Sequence, residues 1–379
     1  MQKYEMIATT LMGLEKELSK EMEQLGGEII EILKRAVRFF GDDKLMYTAN
    51  MSLRTALRIL IPIDDFKATN EDDLYHSVKS FPWENIFGLH QTFAIDAVTS
   101  GEYFKHSKFV ALRAKDAIAD RFREKTGRRP NVDPIEPDIA INLHINVSEV
   151  SVSLDSSGVS LDKRGYRINK TLAPINEVLA AGIILKSGWK SDLPFYDPMS
   201  GSGTFSIEAA LLGSNTAPGL NRTFSFQNWG EYDSLLFEKI KNELISQKKE
   251  DNLKILARDI LTQNIEIIAE NAMNAGVEDF ISLKKADFFQ TDPVDNNGIL
   301  VLNPPYGERL KLGNIFDYYA RIGDTFKQKY AGFDAWMISS DKEALKYVGL
   351  RGDEKYDMNN GGLEARLVKY RLFKGKGNI

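Results

Sequence analysis

Phe195-Tyr196-Asp197-Pro198-Met199-Ser200-Gly201-Ser202-Gly203-Thr204 is the stretch on which the reading of the fold turns. Phe195–Asp197 ends a strand, a glycine-rich turn follows at once, and a helix runs from Thr204 to Leu212. The two glycines let the backbone approach a ligand closely, and Thr204 is placed to cap the helix N-terminus. A strand that passes directly into a helix is the repeating unit of a parallel sheet.

Outward from that turn the pattern repeats. A helix over Pro174–Leu185 precedes it. Strand Leu253–Ala257, helix Thr262–Ala275, strands Phe280–Leu283 and Gly298–Leu302, helix Phe316–Tyr330 and strands Ala335–Ser339 and Leu367–Phe373 follow. This alternation predicts a doubly wound, Rossmann-like sheet over residues 161–379, interrupted by a polar insertion at 214–252 with its own helix. The first 65 residues read as a small α+β unit of order β-α-β-β-α. Its second helix is predicted from a cap at Asn50 or Ser52 through Leu53, Leu57 and Leu60. Residues 66–160 form a further α+β unit: a helix at Leu74–Val78, a strand at Thr92–Val98, a long helix at Ser107–Lys125 and paired strands at Ile139–Val147 and Val150–Leu154. Phe109, Leu112, Ile118 and Phe122 are the apolar residues that helix offers for burial.

Composition narrows the function. The chain has 379 residues and no cysteine, which excludes disulfides, a thiol nucleophile and thiolate metal sites. The longest apolar run, Val178–Leu185, falls far short of the ~20 residues that span a bilayer. With no apolar leader at the N-terminus, the expectation is a soluble cytoplasmic protein. The four histidines, His76, His90, His106 and His144, lack metal-ligand spacing, and no metal is expected. Net charge is 49 − 54 = −5, yet residues 105–129 hold nine Lys/Arg against three Asp/Glu. Lys105, Lys108, Arg113, Arg121, Arg123, Arg128 and Arg129 form either a solvated helix face or a phosphate-contacting surface for nucleic acid.

The turn itself is selective. Ser206 stands where a dinucleotide fingerprint needs its third glycine, and no lysine follows the second glycine as in a P-loop. Asp197 repels a pyrophosphate and welcomes a cation. S-adenosylmethionine carries an amine and a sulfonium and no phosphate, so it fits. Asp259, after the second strand of the series, is placed to accept from ribose hydroxyls; Asp287, after the third, from an adenine amine with Phe288 beside the ring. A strand-to-helix turn that binds nothing is the plainer alternative.

Asn303-Pro304-Pro305-Tyr306 follows the apolar strand Ile299–Leu302. Paired prolines fix the backbone and present a carbonyl rigidly. The Asn303 side-chain carbonyl and the Pro304 backbone carbonyl supply two acceptors for the two hydrogens of one planar amine. Such an amine has its lone pair delocalised; holding both hydrogens out of plane aims the lone pair at a methyl sulfonium. Tyr306 is placed to stack on the ring. Catalysis then rests on positioning and electrostatics. The bland alternative is a Pro-Pro turn that ends a strand.

Residues 197–210 and Asn303-Pro304-Pro305-Tyr306-Gly307-Glu308-Arg309 resemble the motifs of class I methyltransferases that act on exocyclic amines in RNA. Upstream, Ala8-Thr9-Thr10, Gly13-Leu14-Glu15, Leu53-Arg54-Thr55-Ala56 and Asp162-Lys163-Arg164-Gly165-Tyr166-Arg167 are similar to the ferredoxin-like and THUMP RNA-binding domains that accompany them. The resemblance spans nearly the whole chain and is nearest the free-standing RlmL type, which makes N2-methylguanosine in 23S rRNA. It implies a ferredoxin-like domain at 1–65, a THUMP domain at 66–160 and a methyltransferase domain at 161–379. It implies that Asp197, Ser200, Gly201, Gly203, Thr204, Asp259, Asp287 and Asn303 line the S-adenosylmethionine site, with Ser200 where the family has a cysteine. Asn303, Pro304 and Tyr306 would hold a guanine turned out of its stack, and the basic helix would grip RNA. Glu308 and Arg309 would close over the base or touch phosphate. Rival readings are a tRNA guanosine, DNA adenine N6, a protein glutamine amide, and a non-catalytic RNA-binding factor.

Overall fold

The structure, a computed structural model, describes residues 2–168, 174–250, 252–305, 314–360 and 362–373. Its chain forms two compact units. One comprises Met1–Thr9, Met22–Leu161 and Arg222–Asn242, the other Thr10–Glu21, Asp162–Asn221 and Glu243–Ile379.

The first unit is built on a seven-stranded sheet. Strand β1 (Tyr4–Thr10) leads into helix α1 (Glu15–Gln24), most of which belongs to the second unit, then β2 (Glu28–Leu33), β3 (Ala36–Gly41), α2 (Asp43–Ser52) and β4 (Ala56–Lys67). Helix α3 (Glu71–Ser80), β5 (Phe93–Ser100), α4 (Ser107–Thr126), β6 (Ile139–Asn146) and β7 (Glu149–Asp155) complete it. The strand order is β2-β3-β1-β4-β7-β6-β5, with β5 and β6 parallel.

Helix α2 corrects the prediction, which set it about ten residues too late. Asp42 caps it by accepting from the Leu45 N–H at 3.0 Å, and Leu45, Met46, Ala49 and Met51 are buried. The Leu53/Leu57/Leu60 spacing mimicked a helical face, but Ile59, Ile61 and Ile63 belong to a long strand. Pro62 is tolerated there because the pairing with β7 shifts register between Pro62 and Asp64. A second correction concerns α4. Ile118 and Phe122 are buried beside Trp83, Phe87 and Phe93, whereas Phe109 and Leu112 are 46% and 48% exposed.

The inserted segment packs within this unit. Phe226 stacks on Tyr47 at 4.5 Å and on Phe224 at 5.3 Å, and the Asp233 N–H donates to the Tyr47 hydroxyl at 3.1 Å.

The second unit carries α5 (Glu177–Ser187), β8 (Phe195–Asp197), α6 (Thr204–Gly213), β9 (Ile255–Asp259), α8 (Thr262–Ala275), β10 (Ile281–Lys285) and β11 (Gly298–Leu302). Helix α7 (Ser234–Ser246), most of which belongs to the first unit, precedes β9, and α9 (Ile315–Lys329), β12 (Phe333–Ser339), β13 (Glu354–Asn360) and β14 (Leu363–Arg371) follow β11. The order is β10-β9-β8-β11-β12-β14-β13. The first five strands run parallel and β14 runs antiparallel to both its neighbours. Strand β13 pairs with β14 from Glu354↔Lys369 to Asn360↔Leu363, a hairpin the sequence reading did not include.

Helices α5 and α6 are apolar almost all round and correspondingly buried. Asn176 caps α5, and Gly188 closes it in the left-handed region at φ 69°. The 10–21 segment packs on α5: a Cβ on Gly182 would lie 2.5 Å from Leu14 Cδ1, and Lys186 pairs with Glu17 at 2.8 Å. No helix among the described residues is long and apolar enough to cross a membrane.

Candidate cofactor and substrate site

Strand order reverses between β8 and β11, the switch point at which open parallel sheets bind ligands. Both motifs leave the sheet there. Leu300 pairs with Tyr196, so Asp197 comes one residue past that pair on β8 and Asn303 three residues past it on β11.

The turn after β8 is tied from several sides. Ser200 Oγ donates to the Asp197 carbonyl at 2.6 Å, and the Ser200 N–H donates to the Arg258 carbonyl at 3.0 Å. The Gly201 N–H donates to Asp259 Oδ2 at 3.0 Å, with Gly201 at φ 55°. Gly203, at φ 80°, serves packing: a Cβ there would fall 2.7 Å from Ile268 of α8. Thr204 does not cap α6 as predicted. Gly203 occupies the cap position without a side-chain bond, and the Thr204 hydroxyl accepts from Arg167 at 2.7 Å.

Asp197 is 1% exposed. Ser206 Oγ donates to its Oδ2 at 2.9 Å, while Oδ1 is buried without a partner among the described residues. Burial pushes its carboxyl up to about 7, against the Ser206 hydrogen bonds, and the Asp259 charge adds to the rise. A buried carboxylate with one oxygen unmet is a seat for a cationic group. Ser206, read only as a missing glycine, therefore has a task of its own.

Asp259 ends β9 and is buried, its Oδ1 accepting from the Leu261 N–H at 3.0 Å. Each of its oxygens holds one backbone N–H and retains a lone pair for a further donor. Asp287 follows β10, half-buried, with Oδ1 accepting from the Phe289 N–H at 2.9 Å. Phe288, expected beside the adenine ring, faces the core instead. It is 4% exposed and stacks on Tyr330 in the core at 5.5 Å. The half-buried aromatic is the next residue, Phe289, which meets Tyr318 edge-on at 5.3 Å and carries Arg321 over its ring at 4.1 Å.

Tyr318 escaped the sequence reading. Its hydroxyl lies 3.6 Å from Met199 Sδ, inside the glycine-rich turn. Burial, then the charges of Asp287 and Asp259, push it up to about 12. Helix α9 thus brings a side chain to the ends of β8, β9 and β10. Only the Tyr-Tyr pair at 318–319 marked it, and that pattern is equally a core signal.

Asn303 is half-buried, and its Oδ1 has no hydrogen-bond partner among the described residues. Pro304 is buried. Tyr306, Glu308 and Arg309 lie outside the described residues.

The basic helix divides by partner. Arg121 forks onto Glu84 at 2.6 and 3.0 Å, Arg113 pairs with Asp72 at 3.0 Å and stacks on Tyr75, and Arg123 pairs with Asp120 at 2.7 Å. Lys105, Lys108, Arg128 and Arg129 are exposed, the lysines beside Tyr103 and Phe109 in a cleft of about 550 Å³. These two exposed groups sit at opposite ends of α4, a 20-residue helix about 30 Å long.

A parallel sheet with this order, a glycine-rich turn over an unmet buried acid and an unmet Asn at the next strand end together define a class I methyltransferase. Residues 164–369 match the family described as RMKL-like, methyltransferase domain; residues 68–155 match the THUMP domain and residues 5–60 the RlmL ferredoxin-like domain. The chain belongs to the RMKL-like methyltransferase family. A protein of Synechocystis sp., provisionally named an RNA methyltransferase, is 37% identical over 97% of this chain and 96% of its own length. The crystal structure of SMU.472, solved with SAH, is 32% identical with a TM-score of 0.87, covering 99% of this chain and 100% of that one. A Listeria monocytogenes protein named as a predicted N6-adenine-specific DNA methylase is 31% identical with a TM-score of 0.86, covering 98% and 97%. The cofactor of the family is S-adenosyl-L-methionine. The residues fit it: the unmet Asp197 oxygen suits the amine, and Asp259 keeps free lone pairs for hydroxyls.

Proposed function

We propose that this S-adenosylmethionine-dependent RNA methyltransferase methylates the exocyclic N2 amine of a guanosine, with 23S rRNA as its substrate and the cytoplasm as its place of work. The observation that carries the reading is the pair of unmet buried oxygens, Asp197 Oδ1 and Asn303 Oδ1, at the ends of adjacent strands. When bound, the cofactor supplies a methyl group on a sulfonium. Asp197, with Gly201, Gly203 and the Ser200 and Thr204 positions around it, seats its cationic end. Asp259 accepts from its ribose and Asp287 from its adenine.

Asn303 Oδ1 and the Pro304 carbonyl then accept one hydrogen bond each from the target amine, so that its lone pair leaves the ring and faces the methyl carbon; the N–C bond forms as the S–C bond breaks to leave SAH, and the amine's surplus proton passes to solvent. Tyr306 stacks on the base. Stabilisation of this kind, made at the moment charge develops, is worth on the order of 10²–10³ in rate. Residues 1–65 and 66–160 would deliver the RNA and residues 161–379 would carry the chemistry, with Lys105, Lys108, Arg128 and Arg129 as phosphate contacts. The RNA name of the Synechocystis relative and the THUMP match favour RNA.

The decisive experiment transfers labelled methyl groups to total RNA and, separately, to genomic DNA from cells lacking the protein and maps the product by mass spectrometry. N2-methylguanosine at one 23S position is the expected product. The same mark in tRNA would move the substrate. N6-methyladenine in DNA, the activity in the Listeria relative's name, would replace the reading.

A further inference from the structure

The motif Arg164-Gly165-Tyr166-Arg167 opens the second unit's long segment and is not used in the chemistry above. Its side chains converge on the first two turns of α6. The Arg167 guanidinium donates to Thr204 Oγ1 at 2.7 Å and to the Ile175 carbonyl at 2.9 Å, and pairs with Glu177 at 3.4 Å. One turn further along α6, Glu208 Oε1 accepts from the Tyr166 hydroxyl at 3.1 Å and faces Arg164 Nε at 3.5 Å. Arg164 and Glu208 side chains are 2% and 0% exposed. Asn271 of α8 holds the turn from another side, donating to the Ser202 carbonyl at 3.1 Å.

Buried charges held this closely set geometry at the expense of desolvation. The α6 N-terminus has no side-chain cap of its own, and its Thr204 hydroxyl is committed to Arg167. We propose that Arg167 is a positioning residue for the cofactor: by gripping Thr204 it fixes the start of α6, whose first peptide N–H groups meet the carboxylate end of S-adenosylmethionine. Helix N-termini favour such anions, and a guanidinium near that end adds to the attraction. The inference rests on the cofactor site proposed above.

The test uses the full-length protein and calorimetric titration with SAH. Arg167→Lys, Arg167→Met, Thr204→Val and the double variant Arg167→Met/Thr204→Val are compared. Each single variant is expected to weaken SAH about tenfold, the scale of one missing charge-assisted hydrogen bond. The double variant is expected to be no weaker than Arg167→Met, because both changes break one linkage. For Arg167→Met the KM for S-adenosylmethionine should rise while kcat at saturation and RNA affinity stay constant. Variants that bind SAH as tightly as the unaltered protein, or losses that simply add, would overturn the proposal. If Arg167→Met does not fold, Arg167→Lys and Thr204→Val decide the matter. An unaltered protein that binds no SAH would instead sink the cofactor site itself.

Discussion

The Gly201 N–H donates to Asp259 Oδ2 across 3.0 Å, tying the turn after β8 to the end of β9. Asp259 is thus both a ligand candidate and the brace of the glycine-rich turn. Asp259→Ala removes both tasks and should weaken SAH by at least about tenfold, since a bond to a charged group is worth roughly 1.5–3 kcal/mol. Asp259→Asn, which keeps one carbonyl acceptor, should fall between. Calorimetry on the two variants checks this; an unchanged dissociation constant for Asp259→Ala removes the residue from the site.

Asn303→Ala should leave SAH binding intact and lower methyl transfer on the order of 10²-fold or more. Single-turnover kinetics with saturating cofactor separate the two effects. Turnover at the unaltered rate would refute the acceptor role of Asn303.

Asp197 sets a pH dependence with a definite sign. Its carboxyl is pushed up to about 7 by burial, from an ordinary value of 3.8. Between those values the folded protein holds a proton that the unfolded chain has released, so this group's contribution to stability falls as pH rises through that window. A cationic ligand favours the ionised form. SAH affinity should therefore rise with pH between about 6 and 8, and Asp197→Asn should flatten the profile and raise the melting temperature near pH 8. Titrations across pH in buffers of differing ionisation enthalpy would register the released proton; a flat profile in the unaltered protein counts against the assignment.

The basic helix separates into two kinds of cation. Lys105→Glu with Lys108→Glu, and Arg128→Glu with Arg129→Glu, should weaken RNA binding and lower the slope of log affinity against log salt by about one for each phosphate no longer neutralised. Arg121→Glu should act mainly on stability, because it sets a carboxylate against Glu84 in place of their ion pair. Salt-dependent binding curves and thermal unfolding distinguish the two classes. Equal RNA affinity after both lysine and arginine reversals would make the helix a solvated face.

Local signals carried much of this architecture. The 195–204 turn was readable because strand, glycines and helix follow without a gap, and Asn303-Pro304 because paired prolines admit few conformations. The α2 error shows the limit: leucines at 53, 57 and 60 satisfy a helical period, and only the cap at Asp42 and the pairing of β4 with β7 settle that stretch as a strand. Phe288 and Phe289 are indistinguishable in sequence, and the packing of Tyr330 decides which is buried. Tyr318 touches Met199 of the glycine-rich turn from 119 residues further along the chain, a distance no local pattern spans. That Thr204 serves Arg167 and not its own helix is likewise a long-range choice.

The chain's weaving between its two units carries a practical lesson for anyone dissecting the protein. Thr10–Glu21 belongs with the methyltransferase sheet, and Arg222–Asn242 belongs with the other unit. A fragment begun at residue 162 would strip Leu14 from Gly182 and Glu17 from Lys186, baring one flank of α5. A fragment ended at residue 161 would leave Tyr47 without Phe226. No single cut leaves both units with all their segments, because each unit takes pieces from either side of the other along the chain.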